Sequence, residues 1–272
     1  MRIRVLLILG LTLAMVSAAA GQGGQYRTRF SPPFAMGAIT GLPYSAEQVS
    51  EAKQTLADGT HISQPTTTSR MFRDSAGRTR SERPITIGYP ARQDSPSLVE
   101  IYDVVAGYRY ILDPVNKVAH RSAIPPMPQR PGSVGGVIGS PAALSKGSPS
   151  APAIQRPAAP ATDSTPRPQT TSESLGTQVI EGLTCEGRKS TTTYPVGMIG
   201  NDRPLVSTNE FWMSVELRMM VLSKSSDPRS GDRTMQLKNI SRAEQEYSLF
   251  QPPPDYKVVD ETESFEIVIK FP

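Results

Sequence analysis

The chain is poor in the residues that most often carry chemistry. Of its 272 residues, one is cysteine, one is tryptophan and two are histidine. A lone Cys185 excludes an intramolecular disulfide, so the fold must be held by its core alone. It lies in the strand-like run Leu183-Thr184-Cys185-Glu186 and reads as a buried structural thiol rather than a reactive one. His61 and His120 fall in no ligand spacing with Cys, Asp or Glu, whereas a zinc site needs several such donors converging. There is no Gly-x-Ser-x-Gly elbow to expose a nucleophilic serine. Nor is there a Gly-rich loop ending in Lys-Ser or Lys-Thr to cradle phosphates. The expectation is a non-enzyme with no metal and no cofactor.

Strong charge of either sign is also lacking. The formal net charge is +4, too small to imply a nucleic-acid partner. Long apolar runs are missing as well, apart from Val5 to Val16, which follows Arg2 and Arg4 and meets Ser17-Ala18-Ala19-Ala20-Gly21. A spanning helix needs about 20 apolar residues. This shorter run, with a basic flank before it and small residues after it, reads as a secretory leader cleaved after Ala20. No stable transmembrane segment is then expected after its removal, and the localisation is periplasmic or secreted. Cys185 is far from the leader, so a lipoprotein anchor is not expected.

Phe, Tyr and Trp are absent from Ala123 to Arg167, a stretch of Pro, Ala, Ser and Gly with scattered Arg and Gln. Such a segment buries too little apolar surface to offset the entropy of ordering it. We read Ala123 to Ser174 as a disordered Pro/Ala/Ser-rich linker with polyproline tendency. The expected layout is a leader over 1–20, an extended segment over 21–43 and a β half over 44–122. The linker follows over 123–174 and a second β half over 175–272, the two halves sharing one sheet.

Turn signals are plentiful. Asp74-Ser75-Ala76-Gly77, Asp103-Val104-Val105-Ala106-Gly107 and Asp113-Pro114-Val115-Asn116 each open with Asp and close with Gly or Asn. The carboxylate can accept a backbone hydrogen bond two residues on, and the closing residue tolerates positive φ. These predict hairpins in a meander from Thr66 to Arg121, preceded by an Asp58-Gly59 hairpin. Ser45 to Ala57 is ambiguous. Ser45 with Gln48 suits a helix capping box and Val49, Ala52 and Leu56 recur at helical spacing, whereas the following Asp58-Gly59 and Thr60 to Thr68 favour a hairpin.

Beyond the linker, Gln178 to Ile180, a Glu181-Gly182 turn and Leu183 to Tyr194 predict another hairpin. Val206 to Met213, Leu217 to Lys224 and Thr234 to Ile240 follow, with Asp227 to Asp232 as a turn. The terminal strand puts Phe265, Ile267, Ile269 and Phe271 on one face and Glu266 and Lys270 on the other. The chain lacks the serial alternating strands of an outer-membrane barrel.

Several of these stretches resemble a group of uncharacterised exported bacterial proteins. They are Leu56 to Thr60 with Arg73-Asp74-Ser75-Ala76-Gly77-Arg78-Thr79-Arg80, then Tyr102-Asp103 with Leu112-Asp113-Pro114. After the linker come Ile199-Gly200-Asn201-Asp202-Arg203-Pro204, Glu210-Phe211-Trp212, and Leu249-Phe250-Gln251-Pro252-Pro253-Pro254-Asp255-Tyr256. More distantly, the strand order and the late Leu-Phe-x-x-Pro-x-x-Tyr segment are similar to the lipoprotein-carrier (LolA-like) and envelope-stress sensor (RseB-like) half-barrels. That likeness implies a mainly β fold, a curved antiparallel half-barrel-like sheet with a ligand-holding concavity. In this chain it departs from the carriers by its linker and by lacking a pair of internal helices.

From these readings the first expectation is an exported non-catalytic binding module for a lipid-like or peptide ligand, with Trp212, Phe211, Tyr108 and Tyr110 as liners. The second is an envelope protein-interaction or sensory component, and an enzyme of unknown type is the least supported. Arg70, Arg73, Arg78, Arg80 and Arg83 flank the Asp74 turn, and Arg73, Arg78 and Arg80 are the candidates for an anion contact. The competing expectation is that Asp74 and Glu82 neutralise them and that they only guard a strand edge.

Overall fold

The computed structural model describes residues 25–85, 95–127 and 167–270. The leader, most of the linker and Phe271 lie outside the described residues. Fifteen strands and one short 3-10 turn are formed, and no α-helix occurs among the described residues.

The first half carries β1 (Gln25–Phe30), β2 (Tyr44–Thr55), β3 (His61–Ser63), β4 (Thr67–Arg73), β5 (Thr79–Pro84), β6 (Ser97–Asp103), β7 (Tyr108–Asp113) and β8 (Val118–Ala123). The second carries β9 (Gln169–Ile180), β10 (Leu183–Tyr194), β11 (Leu205–Ser214), β12 (Met219–Asp227), β13 (Gly231–Ser241), β14 (Lys257–Asp260) and β15 (Phe265–Lys270). One open sheet runs in the order β14-β8-β7-β6-β5-β4-β2-β13-β12-β11-β10-β9, with β3 added beside β2. Its pairs are antiparallel except β14 with β8, which is parallel. Strands from both sides of the linker therefore hydrogen-bond directly, through β2 with β13 and β8 with β14. The β1–β15 ribbon stands apart from the large sheet.

The Asp-led reversals form as their chemistry dictates. Oδ1 of Asp103 accepts from the amides of Val105 and Ala106, and Oδ1 of Asp113 from those of Val115 and Asn116. One detail differs from the sequence reading. The left-handed residue of the third turn is Lys117, at φ 54°, rather than Asn116. Asn116 instead directs its side-chain amide to Asp113 Oδ2 at 2.8 Å.

Ser45 to Ala57 resolves as β2 running into the Asp58-Gly59 turn. Local helical spacing loses because β2 is flanked by β13 on one side and β4 on the other, so its amides and carbonyls are claimed by ladder bonds. The linker reading also needs trimming. Gln169 to Ser174 is the first half of β9, held against the Thr-rich half of β10, with Thr170 and Thr192 hydroxyls 3.1 Å apart. Residues without apolar side chains can still be ordered by pairing with an existing strand.

At the β9–β10 reversal, Glu181 and Gly182 both adopt positive φ, 50° and 75°, the geometry of a two-residue hairpin of type I′. Glu is a poor occupant of the left-handed region, where Asn is tolerated. Glu181→Asn is therefore expected to raise stability by about 0.5–1 kcal/mol, read as a higher urea midpoint with unchanged denaturant dependence.

Three apolar clusters hold the sheet. Tyr44, Ala46, Ile180, Leu183, Cys185, Trp212, Leu217, Val221 and Leu237 form the first, at the centre and second half. Phe30, Ile85, Leu98, Ile111, Ile267 and Ile269 form the second, between the first-half strands and the β1–β15 ribbon. The third sits on the opposite face, where Ile101, Tyr110, Leu112 and Ala119 meet Phe250 of the 3-10 turn Tyr247–Phe250. The alternation of β15 thus serves to bury Ile267 and Ile269 (each 1 % exposed) against the sheet, at roughly 1.5–3 kcal/mol per side chain. The sheet in the first half is consequently covered on both sides.

Cys185 is fully buried, and its thiol lies 3.5 Å from the Leu183 carbonyl. Burial pushes its pKa upward, which reduces thiolate and access together. The expected result is negligible labelling by a disulfide-exchange reagent in the folded protein and one equivalent per chain after unfolding, followed by absorbance.

The β12–β13 reversal packs against the end of β2. Gly231 has φ 83°, and a Cβ there would approach the backbone of Lys53 and lie 2.8 Å from Gln54 Cα. Only glycine fits that combination of dihedral and contact.

Candidate functional site

Electrostatic order around the Asp74 turn comes from one arginine. Arg78 Nη1 donates to Asp74 Oδ2 at 2.8 Å and its Nε to Asp103 Oδ1 at 3.1 Å. The two carboxylates are buried, 3 % and 2 % exposed, and belong to two different turns. The hydrogen bond to Asp74 is the main cause that raises the Arg78 pKa. Its guanidinium also lies over the Tyr247 ring, 4.8 Å from the centroid. Arg80 donates from Nε to Glu82 at 2.7 Å and from Nη1 to the Leu249 carbonyl at 2.8 Å.

Arg73 goes elsewhere. It donates from Nε to the Leu42 carbonyl and from Nη2 to the Leu217 carbonyl, and stacks over Tyr44. Burial lowers the Arg73 pKa and raises that of Tyr44. Arg73 thus ties the segment before β2 and the β11–β12 turn to β4, on the face opposite Phe72 and the third cluster. Arg78 and Arg80 share a surface with Tyr247 and Leu249, but Arg73 does not join them. All three guanidiniums have protein acceptors.

The four aromatic candidates are also divided. Trp212 belongs to the first cluster, lies across Gly187 and donates its indole N–H to Glu210 Oε1 at 2.7 Å. Phe211, its strand neighbour, points to the other face and is 38 % exposed. Tyr108 and Tyr110 pack at the third cluster, with centroids 6.3 Å apart. No single surface gathers them, because the clusters lie far apart along the strand order.

The histidines are similarly dispersed. His61 Nδ1 is 3.0 Å from the Thr55 hydroxyl on the exposed β2–β3 hairpin. His120 Nδ1 is 2.8 Å from Glu261 Oε1, with its ring stacked on Phe265. Among the described residues no cluster of His, Cys, Asp and Glu is arranged to hold a metal ion.

Two features were not foreseen from the sequence. The first is an open groove of about 530 Å³ lined by Arg80, Tyr247, Leu249 and Pro252 to Pro254. The second is a row of alternating charge across four strands, Glu173, Lys189, Glu210 and Lys224, each opposite the next in register. Lys189 approaches Glu173 at 3.6 Å and Lys224 approaches Glu210 at 3.7 Å. Spacing within any one strand gives no hint of this row, since its paired members are 14 to 21 residues apart and only the register brings them together.

At the β12–β13 turn, Asp227 Oδ1 accepts from the Arg229 amide and its carboxylate receives both Nε and Nη2 of Arg229. The side-chain bond to Arg229 holds the Asp227 pKa at about 2. A carboxyl depressed on folding stabilises above its unfolded value of about 3.9, and that contribution is lost as pH falls towards 2. Asp227→Asn should therefore be less stable than wild type near neutrality, by less than about 1 kcal/mol for so solvated a pair. The difference should vanish between pH 4 and pH 2 in parallel urea titrations, on the depressed folded value.

Fold and site together define an open-sheet β protein of the half-barrel kind. Among solved structures, the chain is similar to an uncharacterised conserved protein from Thermus thermophilus, at 8 % identity and a TM-score of 0.38, over 81 % of this chain and 91 % of that one. It is similar to the Pseudomonas aeruginosa MucA/MucB complex structure at 11 % identity and a TM-score of 0.37, over 80 % of this chain and 58 % of that one. It is also similar to a LolA superfamily protein from Nitrosomonas europaea at 8 % identity and a TM-score of 0.30, over 79 % of this chain and 92 % of that one. No protein-family model and no curated protein matches the sequence.

Proposed function

We propose that the chain is an exported, non-catalytic binding module of the bacterial envelope that engages another polypeptide. The observation carrying this reading is how completely the first cluster is closed by its own side chains. Val221, Leu183, Leu237 and Cys185 are at most 1 % exposed and Trp212 is 6 % exposed, so the apolar interior is filled without cargo. What remains accessible includes the long, mostly polar edge strand β9, and β proteins add strands from partners at such edges.

The alternative reading, a lipid-like ligand, finds its support in the apolar groove beside Leu249 and Pro252 to Pro254. Here the ligand would rest against the third cluster, near Tyr108 and Tyr110 rather than Trp212. Native mass spectrometry of protein purified from an envelope fraction distinguishes the two. The polypeptide reading expects the bare chain mass and a defined protein adduct after crosslinking in intact cells. Co-purifying lipid that is displaced by Leu249→Arg would overturn it in favour of the groove.

A further inference from the structure

The two edges of the large sheet are treated very differently. At one end β14 has four residues, begins with Lys257, ends with Asp260 and follows Pro252 to Pro254. Short length, charge and neighbouring proline are the ordinary means of keeping an edge from pairing. At the other end β9 has twelve residues, with no proline, lysine or arginine and a single acid, Glu173. As the last strand in the order it has a partner on one side only among the described residues. Its side chains are exposed throughout except Leu175 and Ile180. Its one interruption is the irregularity near Gly176, where the register with β10 shifts.

The charge row gives this edge a preference. Along Lys224, Glu210, Lys189 and Glu173 the sign alternates strand by strand, and Glu173 is the last member, 63 % exposed. Opposite charges directly across neighbouring strands attract, and like charges repel. A strand laid beside β9 would therefore extend the row best with a basic residue facing Glu173. Two copies of β9 cannot supply one, because neither contains a Lys or Arg.

We infer that the β9 edge receives an extended strand from a different polypeptide, with a Lys or Arg opposite Glu173. This rests on the polypeptide-binding reading above and names the surface and the chemistry of the partner strand. Main-chain hydrogen bonds along β9 supply the affinity, and the charge opposite Glu173 fixes the register.

The probe is a blocked ten-residue peptide of alternating Thr and Val with one central Lys, compared with the same peptide carrying a central Glu. Binding to the full chain is read by amide shifts in NMR. The Lys peptide should bind about fivefold more tightly, and Glu173→Lys should reverse the order. Methylating alternate backbone amides, in one of the two alternations, should abolish binding. Equal affinity of the two peptides, or shifts elsewhere than residues 169–180, would overturn the inference. So would a concentration-dependent dimer in sedimentation that is broken by Thr171→Pro or Ser172→Pro, since it would assign the edge to a second copy. If envelope crosslinking captures a defined protein while β9 takes up no peptide, the edge assignment falls and the polypeptide reading stands. If neither occurs, both fall.

Discussion

Replacing Gly187 with alanine should lower stability by about 1–3 kcal/mol, the usual cost of overfilling a packed core. The position is on β10, opposite Trp212 in the β11 register. A Cβ at Gly187 would lie 2.7 to 2.8 Å from three carbons of the indole ring, closer than any relaxed contact. The ring cannot simply slide, because its N–H is fixed on Glu210 and its neighbours Cys185 and Leu183 are buried. Since Trp212 is the only tryptophan, its fluorescence reports the displacement directly. A red-shifted emission with a lower urea midpoint is expected. Unchanged emission and midpoint would mean that the indole does not rest on the β10 backbone.

Removing Arg78 should cost more, about 3–5 kcal/mol for Arg78→Ala, because it strands two buried carboxylates. Asp74 and Asp103 are turn-builders that also accept from backbone amides, Asp74 from that of Arg78 and Asp103 from those of Val105 and Ala106. Without the guanidinium both buried carboxylates lose their cationic partner, and Gln251 Nε2 approaches Asp103 Oδ2 no closer than 3.4 Å. The double change Asp103→Asn with Arg78→Ala should recover part of the loss, and a thermal melt series of single and double variants measures the coupling. Additive losses would show that Arg78 contributes packing rather than charge. The same geometry explains why the arginine cluster makes a poor open anion site. Its central members are already satisfied by acids and carbonyls.

Much of the architecture was legible because turns and alternation are local. Asp103 and Asp113 announce their reversals by side-chain chemistry acting within three residues, and the β15 alternation states its buried face outright. What was not legible depends on neighbours. Ser45 to Thr55 carries helical and strand signals together, and only its position between β4 and β13 decides between them. Gln169 to Ser174 has the composition of a spacer, and only the Thr-rich partner strand orders it. The separation of Arg73 from Arg78 and Arg80 follows from which face each strand turns inward, and the division of Trp212 from Tyr108 and Tyr110 follows from strand order. Composition records neither. The groove at Leu249 and the charge row arise from long-range register, which no single-strand pattern contains.

The distribution of strands on either side of residues 128–166 has one more consequence. The stretch before that interval supplies eight of the fifteen strands among the described residues and the stretch after it seven, yet three ladders, β1 with β15, β2 with β13 and β8 with β14, knit the two together. Neither portion owns a complete core, since the second cluster draws Phe30 and Ile111 from one and Ile267 and Ile269 from the other. Severing the backbone within the interval would therefore cut none of the ladders among the described residues, and the two fragments would stay joined as halves of a single noncovalent molecule.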